Sequence, residues 1–591
     1  MFEYFREQVK FKEYYLQRFF KGDPWFRNRK KYFYETEKNL SNSIRSTMIE
    51  DIKSFRINGE PDRLKIKVKN FGYHDVFSIA SGTPLSFTVK FPIHAENLII
   101  WYGIGKNNLK VKDSYGKLIV MLDDKKVRVK KITWKDLKNA GNDEIEARNI
   151  SIDIKEFRGE EKNITIRWKV EGGLDPDLKI YTFDFSVTES FHLPRKKSSG
   201  SRKNIVLILC DALRKDRVFT ELTPFLNSQE RNLLRIEKMY SVSSWTFPAV
   251  TSMCTGVYPF RHKVYRYDHF RLKKGIPLLQ EVLRENNYVT SFFTSNPLVK
   301  AKYGFDAGFD SYLEIPLIKS NNFLPFIEDW VDYFSKDYNF FIYLHAMDTH
   351  TPYIAPSKCL KKSSGHINIP VKKMQKLILN ANETSDLKNI SEDIENSIID
   401  RYNAQVRFFD MNLEKLIDYF KKKGLFENTI FIITADHGEE LFERKKFTHG
   451  YNLYNSLVTI PFLVLGKDLP ALTEKREFIN MDIFPSILDL AGISANEDID
   501  GVSVFKDTVS RPLFLSTHDV YYRGEGWFSK FGVVWNDLKL IYFPKTEGWE
   551  FYDLNKDPLE LNNGFNELSN KERIEKLKSV LFEFLEKEDR S

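Results

Sequence analysis

Residues 204–211 read NIVLILCD, an unbroken apolar run that ends in a carboxylate. A Val/Ile/Leu stretch of this length is typical of a strand buried on both faces of a parallel sheet. Ligands of such sheets collect at the carboxyl ends of the strands, where Asp211 would lie. Residues 428–437, NTIFIITADH, repeat the pattern and end in Asp436 and His437. Either aspartate alone could be a helix cap, but the two strand ends with the adjacent histidine favour a metal site in an α/β domain.

A second stretch, residues 244–259 (SWTFPAVTSMCTGVYP), places Thr246 in front of a run of small residues that predicts a helix. A hydroxyl at this position often only caps the helix. It could also meet an anionic group held by the free amides and the positive end of the helix dipole.

Seven motifs in order resemble the alkaline phosphatase superfamily, and specifically its sulfatase-like branch. They cover roughly residues 203–565 and lie at residues 204–214 (NIVLILCDALR), 245–259, 345–353 (HAMDTHTPY), 434–439 (TADHGE), 449–461 (HGYNLYNSLVTIP), 481–493 (MDIFPSILDLAGI) and 551–563 (FYDLNKDPLELNN). The resemblance implies an α/β fold with a mixed sheet flanked by helices, preceded here by an N-terminal β-sandwich and followed by a small α+β C-terminal subdomain.

The departures from the sulfatase pattern concern the nucleophile. Sulfatases carry Cys or Ser in a Cys/Ser-x-Pro-x-Arg pattern that is oxidised to formylglycine, whereas the matching positions here are Thr246, Pro248 and Val250. Threonine cannot become formylglycine and resembles the nucleophile of phosphodiesterase and phosphotransferase members. Cys210 and Cys254 lack the following Pro and Arg. The second Asp of the sulfatase pair is also replaced, by Ala212.

The resemblance implies a metal set of Asp211, Thr246, Asp436 and His437, like that of lipoteichoic acid synthase-type domains. Such mixed ligands suit zinc or manganese, with calcium or magnesium as alternatives. A divalent cation can lower the pKa of a bound oxygen from ~15.7 towards ~7, which would activate an otherwise weak threonine hydroxyl. In-line attack would then give a phosphothreonine intermediate that water or an alcohol releases.

Five further residues are candidates by the same resemblance. His350 and His449 would be catalytic: His350 would contact the phosphoryl oxygen or leaving group, and His449 would bind substrate or transfer a proton, unless it is only a solvent-exposed loop residue. His345 and Asp348 would orient the substrate contact, or Asp348 would cap its loop. Arg214 could supply the charge of the missing motif arginine.

Composition limits the class of protein. The 591 residues are 42% apolar and 15% aromatic, enough for a large core and two or three domains. A net charge of +8 permits an anionic substrate without requiring one, and no basic-aromatic groove predicts nucleic acid binding. Three scattered cysteines indicate a reducing compartment rather than a disulfide framework.

The predicted domains are an N-terminal helical segment (1–60), a β-sandwich (61–194), a catalytic domain (195–512) and a C-terminal subdomain (513–591). The sandwich would bind carbohydrate or a partner, or merely shield the catalytic domain. Residues 1–35 have no uninterrupted apolar stretch and predict either a helix on an anionic membrane surface or one packed on the protein. We therefore expect a cytoplasmic protein with peripheral membrane contact as an option.

Three functions fit these patterns. The leading hypothesis is a metal-dependent phosphoester (phosphodiester) hydrolase or phosphotransferase that uses Thr246. The alternatives are a sulfate-ester hydrolase and a catalytically silent glycan- or partner-binding protein. The substrate would be an anionic ester, and glycan-linked, lipid-linked and small phosphonate esters all fit the same residues. The pattern does not set an oligomeric state.

Overall fold

The computed structural model describes most of the chain from residue 42 onward. The described residues are 42–48, 55–57, 63–69, 72–79, 84–90, 95–104, 115–133, 144–146, 148–171, 180–192, 196–198, 200, 202–264, 276–299, 303–315, 318–370, 374, 390–472, 476–494, 498–506, 509–522 and 526–590. They form two compact units, residues 39–194 and residues 195–591. Residues 1–35, for which the sequence predicts a helix, lie outside the described ranges.

The first unit consists of two antiparallel-rich sheets. Its strands are β1 (Asn42–Met48), β2 (Phe55–Ile57), β3 (Arg63–Lys69), β4 (Gly72–Ile79), β5 (Leu85–Lys90), β6 (Ala95–Ile104), β7 (Tyr115–Leu122), β8 (Lys125–Thr133), β9 (Glu144–Glu146), β10 (Arg148–Asp153), β11 (Glu161–Glu171) and β12 (Ile180–His192). One sheet has the order β10-β6-β12-β4-β3-β9 with β1 also paired to β12, and the other has the order β2-β5-β11-β7-β8.

A shared apolar core identifies this unit as a sandwich. Strand β7 alternates half-buried and buried residues along its length, as expected for a strand with one face on a core. Leu118 on β7 and Trp168 on β11 join Leu98 and Ile100 on β6 in one buried cluster. The two sheets therefore face each other across a common core, as the sequence predicts.

The predicted helical character of residues 1–60 is wrong where the structure describes that segment. Residues 42–48 and 55–57 are strands β1 and β2. Strand β1 pairs with the end of β12, from Asn42 opposite His192 to Met48 opposite Ser186. Pairing with the long strand β12 gives the backbone N–H and C=O groups of β1 their hydrogen bonds. This tertiary pairing outweighs the local helical propensity of the segment.

The second unit is built on a mixed sheet. Its strands are β13 (Asn204–Cys210), β14 (Leu233–Arg235), β15 (Lys238–Tyr240), β16 (Val289–Thr294), β17 (Ser311–Glu314), β18 (Phe340–Ala346), β19 (Thr429–Thr434), β20 (Glu440–Leu441), β21 (Phe447–Thr448), β22 (Phe462–Leu465) and β23 (Glu477–Ile479). The order in the sheet is β14-β22-β19-β13-β18-β16-β17. Strands β19, β13, β18, β16 and β17 are mutually parallel, and β22 is antiparallel to β19.

Burial of the parallel strands explains their composition. Every residue of β13, β16, β18 and β19 is buried, so these strands read as continuous apolar runs. Because they are parallel, their carboxyl ends meet at one edge of the sheet.

The helices of this unit surround the sheet. They are α1 (Pro224–Ser228), α2 (Thr246–Thr255), α3 (Pro259–His262), α4 (Leu279–Glu285), α5 (Leu324–Phe334), α6 (Glu392–Lys422), α7 (Asn455–Val458), α8 (Ile483–Leu490) and α9 (Lys571–Arg590). Helix α6 begins at Glu392, and the acidic residues Glu392, Asp393 and Glu395 in its first turn complement the helix dipole. The α/β fold class is confirmed.

The C-terminal region is a four-stranded antiparallel sheet with one helix. Strands β24 (Leu513–Tyr522), β25 (Gly526–Trp535), β26 (Leu538–Phe543) and β27 (Gly548–Asp553) pair in chain order. One face packs on α9 through Ile574, Leu577 and Leu581. The other face shares a core with residues before 512, including Tyr451 and Leu453. This α+β subdomain is therefore continuous with the rest of the second unit.

Candidate metal centre and active site

Asp211 follows β13 at the sheet edge where the parallel strands end, and its side chain is fully buried. Its Oδ2 lies 2.5 Å from Asn296 Nδ2, 3.3 Å from His345 Nε2 and 3.4 Å from Thr246 Oγ1. Its Oδ1 has no hydrogen-bond partner among the described residues. Burial opposes ionisation, but the imidazoles of His350, His345 and His437 outweigh it and hold the pKa of this carboxyl well below its usual range.

Asp436 and His437 follow β19, next to β13, so they reach the same point. Asp436 Oδ1 accepts hydrogen bonds from the amides of Ala212 (3.2 Å) and His437 (3.0 Å). Ala212 adopts a left-handed conformation with φ 59°, which turns its amide towards this carboxylate. Asp436 Oδ2 has no hydrogen-bond partner within the described part of the chain.

The orientation of the His437 ring exposes a lone pair to the acidic groups. His437 Nδ1 lies 2.8 Å from the Gly438 carbonyl and therefore donates to it, which leaves Nε2 unprotonated in the neutral ring. That Nε2 lies 3.4 Å from Thr246 Oγ1, 3.6 Å from Asp211 Oδ1 and 3.5 Å from Asp436 Oδ2. The lone pair thus faces two carboxylate oxygens that have no proton to donate, and it can accept a hydrogen bond from the Thr246 hydroxyl.

Thr246 is the first residue of helix α2, as the sequence predicts. The preceding Trp245 is extended (φ −153°, ψ 160°), Pro248 lies in the first turn, and Gly256 ends the helix with φ 71°. The N-cap position is held by Trp245, whose side chain makes no cap hydrogen bond. The Thr246 hydroxyl lies among Asp211 and His437, so the capping alternative does not describe this residue.

Two residues join the cluster that the sequence did not place there. His345, predicted to orient substrate, forms with Asp211 and Asp436 a buried group whose ligand atoms all lie within 4.8 Å of one another. Asn296, after β16, was not predicted at all. Its Oδ1 accepts from the Leu298 and Val299 amides (2.6 and 3.2 Å), which fixes Nδ2 towards Asp211. The sequence feature that could have identified Asn296 is its position as a polar residue just after the apolar strand β16.

These side chains fit a divalent cation. Two buried carboxylates lie close together, each with an oxygen that lacks a hydrogen-bond partner among the described residues. Buried charges are normally paired or coordinate metals. Asp211, Asp436, His437, His345 and the Thr246 hydroxyl are the groups able to hold the ion, while the Asn296 amide would orient Asp211.

A second group lies beside the first. His449 Nδ1 is 2.9 Å from Glu439 Oε1, and the Tyr353 hydroxyl donates to Glu439 Oε2 at 2.8 Å. The His449 ring lies 4.3 Å from the His437 ring and 5.0 Å from the His350 ring, centroid to centroid. His449 is thus mostly buried in the site rather than a solvent-exposed loop residue. Sequence reasoning missed Glu439, although it directly follows the Asp-His-Gly motif.

His350 and His449 differ in the protonation state that their surroundings favour. Burial lowers the pKa of His350, against the attraction of Asp211, and favours a neutral ring. Burial also opposes charging of His449, but the ion pair with Glu439 outweighs it and raises the pKa. A histidine whose surroundings favour the protonated form and one whose surroundings favour the neutral form therefore lie side by side, next to the His437 ring.

The structure places Arg214 away from this cluster. Its guanidinium forms a bidentate pair with Asp216 (2.9 and 2.8 Å) and also donates to the Glu439 carbonyl and to Glu443. These contacts hold the segment that follows Gly438. They favour a positioning role over the predicted substrate contact.

Asp348 also has a local role. Its carboxylate accepts from the Ser320 amide at 3.0 Å and from the Ser320 hydroxyl at 3.0 Å. Lys319 donates to the Asp348 carbonyl. Of the two alternatives that the sequence leaves open, these contacts support the loop cap.

The cysteines near the site are inert. Burial raises the pKa of the Cys210 thiol, and it raises the pKa of Cys254 to about 12. A thiol rather than a thiolate is a weak nucleophile. All three cysteines are free and buried.

The family comparisons agree with this fold. The family model described as Sulfatase matches residues 203–493, and one described as N-sulphoglucosamine sulphohydrolase, C-terminal, matches residues 442–587. An arylsulfatase of Clostridium perfringens is 30% identical over 195 residues, which are 31% of this chain and 39% of that protein. An N-acetylglucosamine-6-O-sulfatase of Bacteroides thetaiotaomicron is 30% identical over 31% of this chain and 34% of its own length. The matched part thus spans about two fifths or less of these relatives.

Solved structures share the architecture at lower identity. A protein solved in complex with its substrate D-glucosamine-2-N,6-O-disulfate has a TM-score of 0.54 and 16% identity, over 66% of this chain and 99% of that one. A phosphonate monoester hydrolase of Agrobacterium radiobacter has a TM-score of 0.52 and 16% identity, over 66% and 96%. Both show that this part of the chain shares their fold. Within the described part of the chain, no helix combines the length and apolarity needed to cross a membrane.

Proposed function

Because residues 203–493 form a domain of the sulfatase family, we propose that the chain is a metal-dependent ester hydrolase whose nucleophile is the unmodified hydroxyl of Thr246. The ester is a phosphoester, in the first instance a phosphodiester, and transfer to an alcohol is the matching phosphotransferase reaction. The observation that carries the proposal is the position of Thr246 Oγ1, 3.4 Å from both Asp211 Oδ2 and His437 Nε2.

The residues would divide the work as follows. Asp211, Asp436 and His437, with His345, would hold the cation, which when bound supplies positive charge at the reacting oxygens. Zinc or manganese suits the mixed ligands best, with magnesium or calcium as alternatives. The buried site keeps water from competing with Thr246 before the ester is in place.

The covalent step balances within the site. The bond from Thr246 Oγ1 to phosphorus forms while the bond from phosphorus to the departing oxygen breaks. The hydroxyl proton would pass to the His350 ring, which burial keeps neutral, and the departing oxygen would take a proton from His449, whose pKa is raised by Glu439. Water, or an alcohol in the transferase reaction, then breaks the bond to Thr246 and restores both protons. Glu439 would hold His449 with its Nε2 towards the substrate.

Sulfate-ester hydrolysis is the second candidate. It is favoured by the names of the relatives, an arylsulfatase and an N-acetylglucosamine-6-O-sulfatase, at 30% identity. The same residues would hold a sulfate, whose oxygens match those of a phosphoryl group in number and geometry. The threonine argues against it, because it cannot form the formylglycine of sulfatases. A silent binding protein is the third candidate and is opposed by the intact ligand set.

One experiment separates these functions. The full chain is loaded with zinc or manganese and offered p-nitrophenyl phosphate, bis-p-nitrophenyl phosphate and p-nitrophenyl sulfate. The Thr246→Ala and Thr246→Ser variants are assayed in parallel, and peptide mapping searches for an adduct on residue 246. We expect phosphodiester turnover that Thr246→Ser retains in part and Thr246→Ala lowers at least about 1,000-fold.

Other outcomes reject the proposal in distinct ways. Turnover of the sulfate ester alone would establish the second candidate. Activity that Thr246→Ala leaves unchanged would remove the nucleophile assignment. Metal bound without turnover of any ester would favour the silent protein.

We also propose a reducing, cytoplasmic location, supported by three free cysteines.

A further inference from the structure

Residues 551–563 (FYDLNKDPLELNN) form one of the seven motifs of the sequence, and the proposed chemistry gives this C-terminal motif no role. Its Glu560 is 2% exposed and adopts a left-handed backbone conformation, with φ 55°. Glycine adopts this conformation at lower cost than glutamate. A buried glutamate at such a position therefore indicates that its carboxylate is needed for a contact.

The Glu560 carboxylate contacts two groups of the second unit. Its Oε1 lies 2.7 Å from the Nζ of Lys539 on β26, and both side chains are fully buried. Its Oε2 accepts a hydrogen bond from the backbone amide of Asn455, the first residue of α7. Lys539 also donates to Asn455 Oδ1 at 3.0 Å. A buried ion pair contributes little net stability, because desolvation of the two charges offsets their attraction, so stability alone does not account for this group.

Helix α7 connects this group to the active site. The carbonyl of Leu457 accepts a hydrogen bond from the Gly438 amide at 2.7 Å, and the carbonyl of Ser456 accepts one from the Glu439 amide at 3.0 Å. The Glu439 carboxylate, whose backbone is held in this way, lies 2.9 Å from His449 Nδ1. A path of hydrogen bonds therefore runs from the C-terminal motif to the carboxylate that holds this histidine.

A second contact joins the same two segments. Arg444 donates to the backbone carbonyls of Leu559 and Glu560, and its Nη1 lies 3.0 Å from Glu440 Oε1. Glu440 is completely buried and directly follows Glu439. The C-terminal motif therefore contacts the active-site loop both through α7 and through the loop's own arginine.

We propose that Glu560 is a positioning residue of the active site. By accepting the Asn455 amide it fixes the start of α7, whose next two carbonyls fix the backbone of Gly438 and Glu439. The Glu439 carboxylate is thereby held where it meets His449. This inference rests on the proposed function, in which His449 supplies a proton to the departing oxygen.

Removing Glu560 alone would leave Lys539 as a buried cation without its counter-charge. Burial already lowers the pKa of Lys539, against the attraction of Glu560. The test therefore removes both charges in two double variants, Lys539→Met with Glu560→Gln and Lys539→Met with Glu560→Met. Glu560→Gln keeps an oxygen that can accept the Asn455 amide, whereas Glu560→Met replaces it by a weakly accepting thioether of similar size. The comparison of the two proteins isolates that acceptor.

The same hydrogen bond can be removed from its donor side. Asn455→Pro deletes the amide, and proline is well tolerated as the first residue of a helix. The preceding Tyr454 is extended (φ −67°, ψ 155°), which is the conformation that a following proline requires. Asn455→Ala is the control, since it removes the same side chain and keeps the amide. This pair tests the proposal even if one of the double variants does not fold.

A structural control comes from another buried carboxylate of the second unit. Glu477 on β23 accepts hydrogen bonds from the amides of Asn536 and Asp537, in the turn between β25 and β26. Glu477→Met therefore also removes a carboxylate that binds backbone amides, but at a turn far along the chain from the active-site loop.

Two measurements are made on the full chain. Steady-state kinetics use bis-p-nitrophenyl phosphate and protein loaded with zinc or manganese. Hydrogen exchange followed by mass spectrometry uses peptides that span residues 434–442, and it needs no turnover. Thermal melting checks that each variant is folded at the assay temperature.

We expect the double variant with Glu560→Met to have a kcat about 10–100-fold below that of the double variant with Glu560→Gln, with KM changed less than about twofold. In the same comparison, the Gly438 and Glu439 amides should exchange about tenfold faster or more, because their acceptors are no longer fixed. Asn455→Pro should reproduce both effects relative to Asn455→Ala, and Glu477→Met should show neither.

Equal kcat in two active double variants, or equal exchange in the two, would overturn the proposal. A loss of kcat in Glu477→Met as large as that in the double variant with Glu560→Met would also overturn it, since the effect would then reflect general destabilisation.

Failure of this proposal and failure of the proposed function are distinguishable. If the wild type hydrolyses no ester while the variants differ in exchange as expected, only the catalytic assignment is rejected. If the wild type turns over the phosphodiester and the variants exchange alike, only the positioning role of Glu560 is rejected.

Discussion

Replacing Asp436 by Asn should stabilise the metal-free protein and abolish its stabilisation by metal. Asp436 Oδ1 accepts two backbone amides, and its Oδ2 has no hydrogen-bond partner among the described residues while lying 3.5 Å from His437 Nε2. In the variant, Oδ1 keeps both bonds, and the new amide can donate to the His437 lone pair. The substitution therefore removes a buried charge and satisfies an orphaned atom.

The size of the expected stabilisation follows from the free-energy cost of leaving Asp436 Oδ2 buried without a hydrogen bond. An unsatisfied buried acceptor costs about 1–3 kcal/mol. For a unit of this size, 1 kcal/mol corresponds to about 1 °C in Tm, so the metal-free variant should melt about 1–3 °C higher than the wild type. Metal at 100 times its Kd should add about 2.7 kcal/mol, or about 3 °C, to the wild type. In the variant that addition should fall below about 1 °C.

The assay is thermal melting of chelator-treated protein with and without zinc or manganese. Asp348→Asn is the matched control, because Asp348 is equally buried but bonded to Ser320. Its metal-induced shift should equal that of the wild type. An undiminished shift in Asp436→Asn, or a metal-free variant that melts well below the wild type, would refute the placement of the cation between the strand ends.

Three further predictions follow from contacts around this centre. Glu439→Ala should lower kcat about 10–100-fold with little change in KM. Glu439→Gln should keep much of the wild-type kcat, because its amide oxygen can still accept a hydrogen bond from His449 Nδ1. Steady-state kinetics would measure both variants, and equal losses of kcat would contradict the positioning role of Glu439. Asn296→Ala should weaken metal affinity about 10-fold, because Asp211 loses its 2.5 Å donor; metal titration followed by intrinsic fluorescence would detect it, and an unchanged Kd would exclude a role for Asn296 in orienting Asp211. Gly438→Ala would place a Cβ 2.1 Å from the Ser456 carbonyl, so the variant should lose about 1–3 kcal/mol of unfolding free energy; denaturant titration would measure it, and wild-type stability would show that the loop can move aside.

The sequence by itself predicted the buried strands of the sheet and several of the side chains that meet at their ends, Asp211, Thr246, Asp436 and His437. The apolar runs ending in Asp211 and Asp436 marked buried parallel strands, because only strands covered on both faces tolerate such composition. Thr246 began its helix where Pro248 and Gly256 allow one to start and end. These signals depend only on residues that are close together in the chain, so they can be recognised without knowledge of the fold.

Sheet order and side-chain direction were decided by the tertiary structure. Asn296 and His345 reach Asp211 because β16 lies next to β18, and β18 next to β13, a neighbourhood that no sequence spacing encodes. Arg214 is near Asp211 in sequence, yet it points to Asp216 and Glu443 because their carboxylates compensate its burial. Local patterns fix which residues form a strand, but packing of the whole chain fixes which strands are neighbours.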